Sequence, residues 1–123
     1  MPTLADCTTI PAARLPAEAL RLRDTGWRFV TASCVGGASG WTIVYHFERD
    51  GRLRHLRLEA PAGVPVPAID AAYPAAFLVE NEIRELQGPV FEGLGIDYGG
   101  RLYRDFDGQE LRPRDPPGSG RTA

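Results

Sequence analysis

The sequence predicts a small α+β domain, a mixed or antiparallel sheet of three or four strands with two helices packed on it. Three observations carry this. Two runs of alternating apolar residues flank Asp50-Gly51, the composition of a two-residue hairpin turn. Two other segments, one opening at Pro16 and one at Pro74, place their apolar residues at helical spacing instead. At 123 residues, 43% hydrophobic and 24% charged, the chain suits one domain with one modest core.

The elements follow in order. Residues 1–15 show no clear periodicity and read as a loosely ordered lead-in. "PAEALRLRDTG" reads as a short helix: Pro16 suits its first turn, Leu15, Ala19 and Leu22 share one side, and Gly26 closes it. "WRFVTASCV" reads as a strand, ended by the Gly-rich turn at 36–40. In the hairpin, an Asp50-Gly51 turn pairs Glu48 with Leu53, His46 with His55, Tyr45 with Leu56 and Ile43 with Leu58. Ile43, Tyr45, Phe47, Leu56 and Leu58 then share one face, and Val44, His46, Glu48, Leu53, His55 and Arg57 the other.

The Pro-punctuated stretch 61–74 cannot be a central strand. It leads to the main helix, with Asp70 a candidate cap and Ala76, Val79, Ile83 and Leu86 a buried stripe. Glu80 and Arg84 stand in the favourable i, i+4 order. Gly88-Pro89 stops the helix, and a turn is expected at Gly99-Gly100. The domain is read as 16–111. The tail from Arg112, "RPRDPPGSGRTA", has no apolar anchor and reads as disordered over 112–123.

Composition narrows the function. The formal net charge is −2, with 14 basic and 16 acidic residues, so nothing suggests nucleic acid. Every basic residue is Arg and none is Lys. This fits GC-rich coding, or guanidinium forks that meet carboxylates at interfaces. Cys7 and Cys34 are too few to hold an iron–sulfur cluster, which takes about four Cys ligands. No leader pattern follows Met1, and no apolar run nears the roughly 20 residues of a membrane span. A cytoplasmic chain with no direct membrane insertion is expected, held at a membrane only through a partner.

Candidate chemistry is sparse. His46 and His55 face each other across the hairpin with Glu48 nearby and could bind zinc or iron, but Arg52 and Arg57 oppose a cation there. Glu80, Glu82, Glu85 and Asp97 could suggest a carboxylate pair but read better as a solvated or docking face, and Cys34 could suggest a thiol nucleophile but has no third orienting group and reads better as a buried core thiol. The glycines at 88, 93, 95, 99 and 100 do not open a helix after a strand, as a phosphate loop requires. No active site, catalytic residue, metal site or cofactor site is expected in the chain itself.

One segment is more specific. "YPAAFLVENEIRELQGPVFEG" resembles the signature of the C-type subunit of NADH-quinone oxidoreductase (respiratory complex I). It resembles more closely the short homologous subunit of energy-converting, membrane-bound nickel-iron hydrogenases. Tyr73-Pro74-Ala75 matches the aromatic-Pro-Ala start, and Glu80 and Glu82 match the two glutamates. Asn81 stands where the family has Arg, Glu85 stands for its Asp, and Gln87 replaces a Phe. Leu86, Gly88, Phe91 and Gly93 match in spacing. The chain then reads Leu94-Gly95-Ile96-Asp97-Tyr98 where complex I has a His-Pro and basic-leucine stretch, which favours the hydrogenase branch.

The likeness covers roughly residues 15–105. It implies a non-catalytic subunit without cofactor. Such a subunit is peripheral on a membrane-bound complex and docks on the catalytic large subunit near an iron–sulfur small subunit. The docking residues it points to are Glu80, Asn81, Glu82, Arg84, Glu85, Gln87 and Phe91. The alternative is a free-standing small enzyme or metal-binding protein built on the His46/His55 pair.

Overall fold

The computed structural model describes residues 6–37 and 39–95. Its elements run β1 (Cys7–Thr9), a 3₁₀ turn (Ala12–Arg14), α1 (Leu15–Asp24), β2 (Arg28–Gly37), β3 (Gly40–Arg49), β4 (Arg52–Pro61), β5 (Val66–Pro67), α2 (Ala76–Gln87) and β6 (Phe91–Glu92). The main sheet has the order β1-β4-β3-β2 and is mixed: β2, β3 and β4 form an antiparallel meander, and β1 adds parallel to β4. β5 and β6 form a separate short parallel ladder. The α+β class, with four strands in the sheet and two helices, is as the sequence predicts.

The hairpin has the expected register. Glu48 lies opposite Leu53, His46 opposite His55, Tyr45 opposite Leu56 and Ile43 opposite Leu58. Asp50 and Gly51 both take positive φ, 53° and 79°, which a type I′ turn needs to match the strand twist. Ile43, Tyr45, Phe47, Leu56 and Leu58 are all at most 2% exposed and join the buried Leu15, Ala19 and Leu22 of α1 and Ala76 and Ile83 of α2 in one core. At the other end of the hairpin Gly40 is required by close approach. A Cβ there would sit 2.4 Å from the Ala60 carbonyl oxygen and 2.9 Å from the Pro61 Cα.

β2 carries a bulge between Phe29 and Thr31. The extra residue, Val30, is exposed, and the inward parity changes from Phe29 to Ala32 and Cys34. Phe29, Phe47 and Tyr73 form an aromatic cluster with centroids 5.4–6.1 Å apart. The Tyr73 hydroxyl donates to the Trp27 carbonyl at 2.7 Å, tying the Pro-rich connection to the start of β2.

Three local expectations need correction. Within the stretch read as a loose lead-in, Cys7–Thr9 form the edge strand β1, and Ile10 and Leu15 are buried. Parallel pairing to a distant strand leaves no local pattern to read. Asp70 does not cap α2; its carboxylate accepts from the Gly95 N–H at 2.6 Å, and Ala75 stands at the N-cap of α2 with no side-chain hydrogen bond there. Leu86 is not in the buried stripe: it is 62% exposed. The expected Gly99-Gly100 turn, Asp97 and the tail lie outside the described residues.

Candidate functional site

α2 sits against β2 and β6. Its inward face is not the apolar stripe the spacing suggests. Ala76, Glu80, Asn81 and Ile83 are buried, and Glu80 and Asn81 have no exposed surface. The buried face is turned toward Glu80 by roughly a quarter of a turn, at about 100° per residue.

Glu80 explains why. Its Oε2 accepts from the Tyr45 hydroxyl at 2.7 Å and from the Ile69 N–H at 3.0 Å. One carboxyl thus joins α2, β3 and the Pro-rich connection. Burial pushes its pKa up to about 7, against the two hydrogen bonds, which pull it down. The Tyr45 hydroxyl is pushed well above its ordinary value by burial first and by the charge of Glu80 second. The expected pairing of Glu80 with Arg84 gives way to this network.

Glu80, Asn81 and Phe91 therefore do not sit on an outward docking face. Asn81 donates from Nδ2 to the Phe77 carbonyl at 2.8 Å, and Phe91 is 2% exposed within the core. Tyr73, the aromatic of the Tyr-Pro-Ala start, is also internal. These signature positions hold the fold together.

The outer side of α2 carries the rest. Leu78 and Leu86 are 46% and 62% exposed, and Glu82, at i+4 from Leu78, is half-buried between them. Glu85 and Arg84 are also half-buried. Asn81, Glu82, Arg84 and Glu85 each make further interactions. Gln87 is exposed, and its carbonyl accepts from the Trp41 indole N–H at 3.0 Å, which fixes the C-terminal end of α2 to β3. Sequence reasoning missed Leu78 and Leu86 as surface residues. The signal available was that the Leu78–Glu82–Leu86 row repeats every four residues beside the acids.

The histidine pair forms as expected, on the sheet face away from the helices. His46 Nδ1 and His55 Nδ1 lie 2.7 Å apart, so one of them holds a proton and donates it to the other. Ser33 Oγ lies 2.9 Å from His46 Nε2. Burial, and then the neighbouring His55, lower the pKa of His46. His55 is buried, with its Nε2 lacking a partner among the described residues. Glu48 does not turn toward the pair: it bonds Arg28 at 2.5 Å and the Gly51 N–H at 2.9 Å. Among the described residues no group of three or more His, Cys, Asp or Glu is placed to hold a metal. The Cys34 thiol is pushed up by burial, the opposite of an activated nucleophile.

Comparison with known proteins decides the family. The family model "respiratory-chain NADH dehydrogenase, 30 Kd subunit" matches residues 8–109, most of the chain. The chain belongs to this family. Tyr73 and Glu80 lie within the matched residues and are both buried. A chain from an archaeal respiratory membrane complex, the membrane-bound sulfane sulfur reductase, shares the fold with a TM-score of 0.68 at 18% identity. The match covers 76% of this chain and 59% of that one, so this chain spans less than two thirds of its structural relative. No curated protein matched by sequence. Among the described residues no helix is long and apolar enough to cross a membrane.

Proposed function

We propose that this member of the 30 Kd family is a non-catalytic structural subunit of a membrane-bound respiratory complex. The complex is of the energy-converting hydrogenase or complex I type. The chain docks on the catalytic large subunit of the peripheral arm, beside the iron–sulfur small subunit, and electrons pass through those partners. It is peripheral, on the cytoplasmic side. Family membership and the shared fold with a chain of a membrane-bound respiratory complex support this reading.

The observation that carries it is the outer face of α2. Two exposed leucines flank an acidic residue on a helix whose opposite face is locked inward by Glu80. Apolar anchors supply affinity at such a face, and Glu82 and Glu85 supply register against partner Arg or Lys. Arg84 and Gln87 lie at its rim.

The test is co-expression with a hydrogenase-like large subunit. Leu78→Arg with Leu86→Arg, both at exposed positions, should abolish co-purification, while the stability of the isolated chain changes by no more than about 0.5 kcal/mol, as for surface substitutions. Full co-purification of that variant would move the docking face elsewhere. Stoichiometric iron, nickel or flavin in the chain purified free of partners would refute the non-catalytic reading. The second reading is a metal-binding protein that uses His46 and His55. It is favoured by the unpartnered His55 Nε2 and would be supported by micromolar zinc binding that His46→Gln abolishes.

A further inference from the structure

At the turn end of the hairpin the helix-side face carries Arg49, Arg52 and Arg54 around Trp27. They line a cavity of about 300 Å³ whose wall also includes Asp6 and Thr8 beside edge strand β1. Two of the guanidinium groups lie over the same indole: Arg49 Cζ is 4.9 Å and Arg54 Cζ 5.7 Å from the Trp27 ring centroid. Arg49 is held further by donating from Nη1 to the Thr25 carbonyl at 2.7 Å. Arg52 lies directly opposite Arg49 across the hairpin.

Like charges facing each other across two strands are unfavourable. Here three are gathered, and among the described residues none of them has a carboxylate within salt-bridge distance. The nearby acids are engaged elsewhere: Glu18 with Arg21 and Arg14, Asp24 with Arg23, Glu48 with Arg28. Arg54 acts on Glu18 only from farther off, as the weakest of the charges that lower its pKa. Asp6, the one carboxylate in the wall, makes an interaction of its own. The cluster is a positive island on a chain of net charge −2, so overall charge does not explain it. Stacking on Trp27 holds the Arg49 and Arg54 guanidinium groups, and the Thr25 bond holds Arg49 further, before any ligand arrives; such preorganisation is what makes an oxyanion site effective.

We propose that Arg49, Arg52 and Arg54 form a docking site for an acidic peptide segment with two closely spaced carboxylates. Guanidinium forks match carboxylates in bidentate pairs. The cavity is at the small end of the roughly 300–1,000 Å³ of ligand pockets, and Arg49 and Arg54 already compete for the Trp27 ring on which a nucleotide base would stack. A segment passing the site runs beside the sheet edge at β1, where extended peptides are accepted. The inference rests on the proposed assembly only for the source of the segment, a neighbouring subunit. The site itself is tested on the isolated chain.

The probe is fluorescein-labelled hexaglutamate, followed by fluorescence anisotropy at low salt. Saturable binding is expected, weakened at least tenfold in Arg52→Gln/Arg54→Gln. Arg28→Gln/Arg57→Gln makes the same change in net charge on the other sheet face and should weaken it less than twofold. Circular dichroism melts check both folds, and Arg52→Gln alone, an exposed change, stands in if the double variant does not fold. Equal weakening in both pairs, or no saturable binding, overturns the proposal. Displacement by tripolyphosphate at lower concentration than by unlabelled hexaglutamate also overturns it, in favour of a phosphate site. None of these outcomes depends on α2, so failure here is distinct from failure of the large-subunit docking test.

Discussion

Replacing Glu80 with glutamine should change how stability depends on pH more than stability at any one pH. A carboxyl with a native pKa of about 7 and an unfolded value of 4.5 binds its proton more tightly in the fold. Below pH 4.5 it is protonated in both states. Between pH 4.5 and 7 the unfolded chain ionises first and stability falls. Above pH 7 both states are ionised and the loss is complete. A gap of this size corresponds to about 3 kcal/mol, at 1.36 kcal/mol per pKa unit. In melting temperature that is on the order of 10 °C.

In the Glu80→Gln variant the amide oxygen can accept from both Tyr45 and Ile69, but an amide N–H₂ is left where the second carboxyl oxygen lay. That costs about 1–3 kcal/mol at every pH. The variant should therefore be less stable than the parent at pH 5 and level with it or better at pH 8.5. His46 titrates in the same window with the opposite sign, so the quantity to read is the difference between variant and parent. Urea denaturation at pH 5, 6, 7, 8 and 8.5 gives it directly. A difference that stays constant across this range would mean that Glu80 ionises normally in the fold, and the desolvation argument fails.

Two further outcomes follow from the same structure. The His46 pKa is lowered, so its contribution is present above the unfolded value of about 6.5 and is lost as pH falls; His46→Gln should melt closer to the parent, or above it, at pH 5 than at pH 7.5. Gly40→Ala drives a Cβ into the Ala60 carbonyl and should cost about 1–3 kcal/mol or more in urea denaturation, whereas Gly63→Ala, with open space around it, should cost only the smaller strain of its positive φ; equal losses would refute the close-approach argument.

The hairpin was fully legible in the sequence because two independent signals, turn chemistry and alternation, pointed to one register. α2 was legible as a helix but not in its orientation. The reading weighed apolar residues only, and Leu86 lost its inward place to a carboxylate whose hydrogen-bond partners, Tyr45 and Ile69, are far away in sequence. No local pattern shows that a glutamate will find two donors. The same limit applies to β1, whose partner is β4, and to the Arg cluster, whose members became neighbours of Trp27 only when the hairpin packed against the start of β2. The charged residues of the signature looked alike in one dimension. The fold divides them into Glu80, which is internal, and Glu82 and Glu85 toward the outside.

The parallel pairing of β1 also sets an order of events during synthesis. Cys7 emerges early, but the strand it joins, around His55, is made only after α1, β2 and β3. The meander closes through short loops and forms its contacts locally, while β1 must close the longest loop in the sheet. β1 is then the last strand to dock and the first to fray, and its amide protons should exchange fastest of the four. Arg49, Arg52 and Arg54 meet Trp27 when the meander closes, and the Asp6 and Thr8 wall joins them only when β1 docks, so the basic cluster forms before its pocket is walled.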